Sequence, residues 1–229
     1  MNWANDFNFL DSQKPIDLSL CASSAIHVVA ASSIKAALED PILYRIFSDE
    51  ILICDSKIIS ILLKSLGVKH FFIRGTDFLR KSLSDCPSSL TNHFIVSSEK
   101  VSNSLIAVIQ KSFPDLTVGR VIVPLIGDAN EILRQIENDF QDIVNGIIWV
   151  GLGSPKQDFL TSKLYERFGL TVCGVGAAID YLSGESKEAP SIIRNSGFEW
   201  LYRLVREPKR LWRRYLVGNT QILLRLIRS

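Results

Sequence analysis

The sequence is poor in the residues that build metal centres, disulfide frameworks and membrane spans. Its four cysteines, Cys21, Cys54, Cys86 and Cys173, lie far apart with no C-x-x-C pair, and there are only three histidines. A zinc site or a disulfide scaffold needs such residues close together, so neither is expected and a reducing compartment is the default. No uninterrupted apolar run approaches the ~20 residues that span a bilayer. The opening Met1-Asn-Trp-Ala-Asn-Asp6 lacks the basic and apolar regions of a signal peptide, which points to a cytoplasmic protein. There is no Walker A loop, no complete G-x-G-x-x-G and no D-x-D, the usual metal clamp of nucleotide-sugar enzymes. A composition near the globular average, 47% hydrophobic and 22% charged, excludes a disordered tail, a collagen-like repeat and a coiled coil.

What is present is a chain of 229 residues, long enough for one well-cored domain with an appendage. Its formal charge of +2 hides an asymmetry. From Arg194 onward there are nine Arg and Lys against Glu199 and Glu207, while the preceding 193 residues carry 17 basic and 22 acidic groups. A basic end on an acidic body suits an anionic partner such as phosphates, nucleic acid or a membrane surface. A solvated surface helix would look the same.

Strand-like stretches at Ala25–Ala30, Glu50–Cys54, Lys69–Ile73, His93–Val96, Thr117–Pro124, Gly146–Val150 and Leu170–Cys173 alternate with helical spacings. The helices fall over Ile34–Phe47 (interrupted at Pro41), Lys57–Leu66, Ser98–Phe113, Ala129–Val144 and a segment reaching Phe168. Ser32 or Ser33, Thr76 or Asp77, and Ser154 are the expected caps, with Pro155 at a first helical position. Such alternation predicts an α/β fold, a Rossmann-like parallel sheet flanked by helices, with a basic helical C-terminal appendage. The expected division is a loose N-terminal lead over 1–24, an α/β domain over 25–190 and the appendage over 191–229.

Ligands of such sheets bind beyond the carboxyl ends of the strands. Two turns there are rich in glycine, Val150-Gly-Leu-Gly-Ser-Pro-Lys-Gln157 and Cys173-Gly-Val-Gly-Ala-Ala-Ile-Asp180. Gly151 and Gly153 let a backbone approach a ligand, and a helix N-terminus with Lys156 beside it is an anion site. Tight packing is the alternative for each turn. Asp55 follows four apolar or sulfur residues where a strand opens into a turn, and can meet a bound hydroxyl as a general base must. A plain helix cap would also put Asp there. With no metal clamp, fixed cations would have to hold a leaving diphosphate, and Arg203, Arg206, Arg210, Arg213 and Arg214 are spaced to share a helical face. Trp149 is expected in the core, and His27, His70 and His93 receive no chemistry.

The blocks Gly151-Leu-Gly-Ser-Pro-Lys-Gln-Asp158, Gly174-Val-Gly-Ala-Ala-Ile-Asp-Tyr-Leu-Ser-Gly184, Lys187-Glu-Ala-Pro190 and Gly197–Tyr215 resemble, in order, those of the WecG/TagA/CpsF glycosyltransferase family. The resemblance covers about residues 25 to 215. It implies an inverting transferase that moves an N-acetylmannosamine-type sugar from UDP to a polyprenyl-diphosphate-linked N-acetylglucosamine. The products would be precursors of wall teichoic acid, enterobacterial common antigen or capsule, made without a metal or other cofactor. Carried over by motif, Asp55 is the base and Gln157 positions a substrate. Gly153, Ser154, Pro155, Lys156, Gly176 and Asp180 lie at the substrate or its nucleotide, and Arg203, Arg210 and Arg213 close over the diphosphate. The appendage would bring the enzyme to the inner face of the plasma membrane, with Trp212, Tyr215, Leu216 and Ile222–Ile227 as apolar contacts. A membrane suits those groups better than nucleic acid does.

The chain departs from the family where the sugar and acceptor are expected. Thr-x-Asn becomes Ala30-Ala-Ser32, leaving Ser32 to replace the amide, and Asp-Gly becomes Asp55-Ser56. The Arg of Arg-Val-Ala-Gly is replaced by Phe72, with Arg74 two residues later as its expected substitute. Gly-Gly becomes Ser97-Ser98, and the Gly-Tyr-Phe turn is absent around Val123–Ile126. A changed sugar or acceptor follows from these substitutions. The alternative is a non-catalytic homologue that binds a UDP-sugar and regulates a polysaccharide assembly complex. A nucleotide-cofactor oxidoreductase, read from the two G-x-G turns, is a more distant third.

Overall fold

The computed structural model describes residues 3–11, 23–86, 92–123, 126–141, 143, 145–190, 193, 199–206 and 208–212. Six strands, β1 Ala25–Val29, β2 Ile51–Cys54, β3 Asn92–Ser97, β4 Thr117–Ile122, β5 Ile147–Val150 and β6 Thr171–Gly174, form one sheet in the order β2-β1-β6-β5-β3-β4. Every pairing is parallel. The helices are α1 Trp3–Asp6, α2 Ala31–Glu39, α3 Pro41–Asp49, α4 Lys57–Ser65, α5 Gly75–Ser84, α6 Glu99–Ser112, α7 Ala129–Ile136, α8 Lys156–Phe168, α9 Ala178–Leu182, α10 Glu199–Arg206 and α11 Pro208–Trp212. This is the Rossmann-like α/β architecture that the alternation predicts.

A parallel sheet is covered on both faces, so its strands are apolar throughout rather than alternating. β1, β5 and β6 are buried at every position. On one face Ile26, Cys173, Trp149 and Ile95 pack with α5, α6 and α9 through Phe78, Leu79, Leu105, Ile109 and Ile179. On the other, Val150 and Val96 meet Ile132, Leu160 and Leu164 of α7 and α8, while Leu52 and Val29 meet Ile34, Phe47 and Leu63 of α2 to α4. The register places Leu52, His27, Gly174, Val150, Val96 and Val121 in one row across the sheet. His27 is thus a polar residue in an otherwise apolar row.

Local signals explain several boundaries. Asp40 Oδ1 accepts from Ile42 N at 2.8 Å and Leu43 N at 3.1 Å, so the break at Pro41 starts a new capped helix. A reciprocal capping box between Asp128 and Glu131 starts α7, which gives way to a 3-10 turn over Glu137–Phe140 rather than running to Val144. The expected caps at the other helices are corrected. Ala30 stands at the cap of α2 with both serines inside the helix, Arg74 at that of α5 with Thr76 and Asp77 inside, and Pro155 at that of α8 with Ser154 before it.

The described part of the N-terminal lead packs on the α2 to α4 side of the sheet. Trp3, Ala4, Phe7 and Phe9 are buried. Leu52 N donates to Asn8 O and Leu10 N to Leu52 O, both at 2.9 Å, so 8–10 runs as an extra parallel segment along the β2 edge. Of the tail expectations, Arg213, Arg214, Tyr215, Leu216 and Ile222–Ile227 lie outside the described residues. Among the described residues no helix is long and apolar enough to cross a membrane.

Candidate functional site

A cleft of about 310 Å³ opens at the carboxyl ends of β2, β1, β6, β5 and β3. Its wall includes Asp55, Arg74, Gly153, Ser154, Gln157, Gly176 and Asp180, so seven of the residues singled out from sequence meet there. Pro155, Lys156 and Ser32 stand outside the lining. From the first turn of α2 it is the buried Ser33 that faces the cleft, because the helix begins at Ala31, earlier than the serines suggested. Arg203 and Arg210 lie on α10 and α11.

Asp55 leaves the end of β2 with its N–H bonded to Val29 O at 2.9 Å. Its Oδ1 accepts from Gly75 N, the first amide of α5, at 2.9 Å. A helix N-terminus favours negative charge, and Asp55 lines the cleft beside that of α5. The neighbouring Cys54 is no competitor as a nucleophile. Burial pushes its thiol up to about 12, and Cys54 Sγ donates to Ser56 O at 3.4 Å.

The two glycine-rich turns do different work. Gly151 is a packing glycine, since a Cβ there would fall 2.6 Å from Ile179 Cδ1 of α9. Gly153 has φ +77 with open space around it, and Gly176 has φ +57. These left-handed conformations are what glycine permits. Gln157 fills the space between the turns: its Oε1 accepts from Gly153 N at 3.2 Å, and it is 2% exposed. Ser154 Oγ is buried in the cleft wall without a hydrogen-bond partner.

Of the helices whose first turns border the cleft, α2, α6, α8 and α9 have no side-chain bond from the N-cap residue and α5 has its first amide taken by Asp55, whereas α3, α4 and α7 are capped by Asp40, Ser56 and Asp128. Uncapped helix ends converging on one space make it receptive to an anion. Serine and threonine at the cleft, Ser33, Thr76, Ser97 and Ser98, add hydroxyls suited to a polyhydroxylated ligand. The sequence offered Ser33 and Thr76 only as caps and Tyr181 only as part of a motif block, because a hydroxyl at a helix start carries the same local signal whether it caps or faces a cleft.

Arg74 is engaged differently from the expectation. Its Nε donates to Glu199 Oε2 at 3.0 Å, Nη1 to Asp77 Oδ2 at 3.2 Å, and Nη2 lies 3.7 Å from Glu188 Oε2. Burial alone would lower its pKa, but the bond to Glu199 and the charges of Glu199, Asp77 and Glu188 raise it above the usual value. The arginine therefore fastens the start of α10 to the cleft wall. Among the described residues, no group of three or more His, Cys, Asp or Glu could hold a metal ion.

A parallel α/β sheet with a carboxylate, two glycine turns and several helix N-termini around one cleft defines a Rossmann-like α/β protein. The model of the glycosyl transferase WecG/TagA/CpsF family matches residues 15–229, and the chain belongs to that family. It is 32% identical over 124 residues to the N-acetylglucosaminyldiphosphoundecaprenol N-acetyl-beta-D-mannosaminyltransferase of Bacillus spizizenii. That match covers 54% of this chain and 46% of the relative, about half the length of each.

Proposed function

We propose that this protein is an inverting glycosyltransferase that moves a sugar, N-acetylmannosamine or a related one, from a UDP-sugar to a polyprenyl-diphosphate-linked acceptor in bacterial surface polysaccharide synthesis. The observation that carries this reading is the meeting of Asp55, Gln157 and both glycine turns in one cleft of a chain from a glycosyl transferase family. The name of the Bacillus relative supports the lipid-linked acceptor and the mannosaminyl group.

In this reading Asp55 takes the proton of the acceptor hydroxyl as its oxygen attacks the anomeric carbon. The carbon–oxygen bond to UDP breaks on the opposite face, and the configuration inverts. Negative charge grows on the departing diphosphate. Helix ends at the cleft and the arginines of the tail, among them Arg203, Arg210 and Arg213, meet it without a metal. Exposed Leu201, Val205 and Trp212 beside Arg206 and Lys209 support a peripheral place at the inner membrane face, where a polyprenyl acceptor lies.

UDP release from a panel of UDP-sugars, with a polyprenyl-diphosphate N-acetylglucosamine analogue in detergent, tests the whole. Acceptor-dependent release with one donor is the expected result, and Asp55→Asn should lower it by ~10²-fold or more while the protein stays folded. Near-normal turnover in that variant removes Asp55 from the reaction. Deletion from about residue 198 should abolish vesicle binding and turnover together. UDP binding without release on any acceptor favours the second reading, a non-catalytic UDP-sugar-binding regulator. The engagement of Arg74 by Glu199 and the serines at 97 and 98 are the observations on its side.

A further inference from the structure

One buried charge cluster plays no part in that reaction. His27, in the middle of β1, is fully buried with its Nδ1 3.2 Å from Asp158 Oδ1 and its Nε2 2.6 Å from Glu50 Oε2. Ser162 Oγ donates to Glu50 Oε1 at 2.6 Å. Asp158 and Ser162 are four residues apart on α8, so the imidazole is joined to that helix twice, directly and by way of Glu50. Asp158 is itself fully buried, and its Oδ2 has no hydrogen-bond partner. A carboxylate so placed depends on its cation. Burial by itself would lower the pKa of His27, but hydrogen bonds to Asp158 and Glu50, and their charges, outweigh it and bring the value to about 9. At neutral pH the ring is an imidazolium that donates from both nitrogens.

The residue before Asp158 is Gln157, and its carboxamide lies over Gly174, the register partner of His27 on β6. A Cβ on Gly174 would come 3.5 Å from Gln157 Nε2, and one on Gly176 3.3 Å from Oε1. The carboxamide thus has a close backbone seat, while its stem leaves the helical turn that His27 grips. The N-cap residue of α8 makes no side-chain bond, and the buried ion pair adds a side-chain tie to the backbone bonds that Gln157, Asp158 and Phe159 donate to Gly153 and Pro155 in that turn.

We propose that His27, with Asp158, is a positioning residue for Gln157: the pair locks the first turn of α8 onto β1 and so sets where the carboxamide stands in the cleft. Its kinetic consequence rests on the transferase reading, but its structural consequence does not. The charged groups facing His27 are Asp158 from α8 and Glu50 from the turn before β2. Phe47 of α3, with ring centroids 5.5 Å away, and the register partners Leu52 and Gly174 are uncharged.

The test follows the Gln157 side-chain amide and the Gly153 N–H by NMR in the full chain, from pH 6 to 10, alongside the imidazole of His27. In the wild type both signals should move with the His27 midpoint. Asp158→Asn should shift or broaden them at every pH and lower kcat about ten- to hundred-fold with little change in donor KM, as loss of alignment does. Asp158→Glu, which keeps the charge, should recover part of the loss. If His27→Gln fails to fold, the neutral pair His27→Gln with Asp158→Asn replaces it. A merely structural role predicts a lower Tm with the Gln157 and Gly153 signals and kcat unmoved, and that result overturns the proposal. Should the wild type release no UDP from any donor, the transferase reading fails alone, and the NMR titration still decides the positioning.

Discussion

Two buried histidines on the same sheet end in opposite charge states. On β1, His27 lies between two carboxylates and is brought to about 9. On β3, His93 is also buried, and burial lowers it to about 4. Its Nδ1 accepts the indole N–H of Trp149 at 2.9 Å, a bond that requires an unprotonated nitrogen, and Cys86 Sγ lies 3.5 Å from Nε2. Desolvation opposes charge at both places, so depth in the core does not decide the outcome. The bonding partners do. The charged member stands beside the helix that carries Gln157, while the neutral one braces Trp149 beneath the strand that leads into Gly151 and Gly153.

The largest expected effect comes from removing the cation. His27→Leu leaves Asp158 and Glu50 near each other without a counter-charge, and should cost about 3–5 kcal/mol by urea denaturation at pH 7. His93→Leu removes no charge and leaves the Trp149 N–H buried without its acceptor, a loss of about 1–3 kcal/mol. Equal losses in the two variants would dissolve the contrast.

The same pair should bound stability on both sides of neutrality. The folded value for His27, about 9, is above the usual 6.5, so its contribution is complete below pH 6.5 and fades as pH rises through 9. For His93 the folded value is about 4, below 6.5, so its contribution is complete above pH 6.5 and fades as pH falls toward 4. Unfolding free energies across that range should lose their alkaline slope in His27→Leu and part of their acid slope in His93→Leu.

Neither state was legible in the sequence, although both strands were. Alternating apolar runs and helical spacings report which segments are buried, and that is enough to mark the six strands but not their order in the sheet, and it also marks Lys69–Ile73, which makes only a single bridge from Phe72 to Cys54. They do not report which side chain from another element will face a strand residue: Asp158 is 131 positions from His27, and Trp149 is 56 from His93. The caps failed for a related reason. Ser32, Thr76 and Ser154 carry capping chemistry, yet they stand at helix ends bordering the cleft, where none of them caps. Caps away from the cleft, such as Asp40 and Asp128, follow the ordinary rule. Arg74 was expected at the substrate and does line the cleft, but its acidic partners Glu188 and Glu199 lie 114 and 125 positions away, beyond any local pattern.

The finest test tries to convert one histidine into the other. Cys86 is only half-buried, and its sulfur faces His93 Nε2, the nitrogen that carries the proton when Nδ1 accepts from Trp149. Cys86→Asp would set a carboxylate there. An opposite charge at hydrogen-bond range favours the imidazolium, so the pKa of His93 should rise from about 4 toward or past its usual 6.5, read by NMR titration. It should stop short of the value at His27, because a second proton on Nδ1 would confront the indole N–H and only one carboxylate would be present. The effect on stability at pH 7 should be small, under about 1 kcal/mol, since the new group can still reach water. If His93 stays near 4 in the Cys86→Asp variant, the Trp149 bond, rather than the lack of an acid, holds it neutral. The two histidines would then differ by what forbids the proton as much as by what invites it.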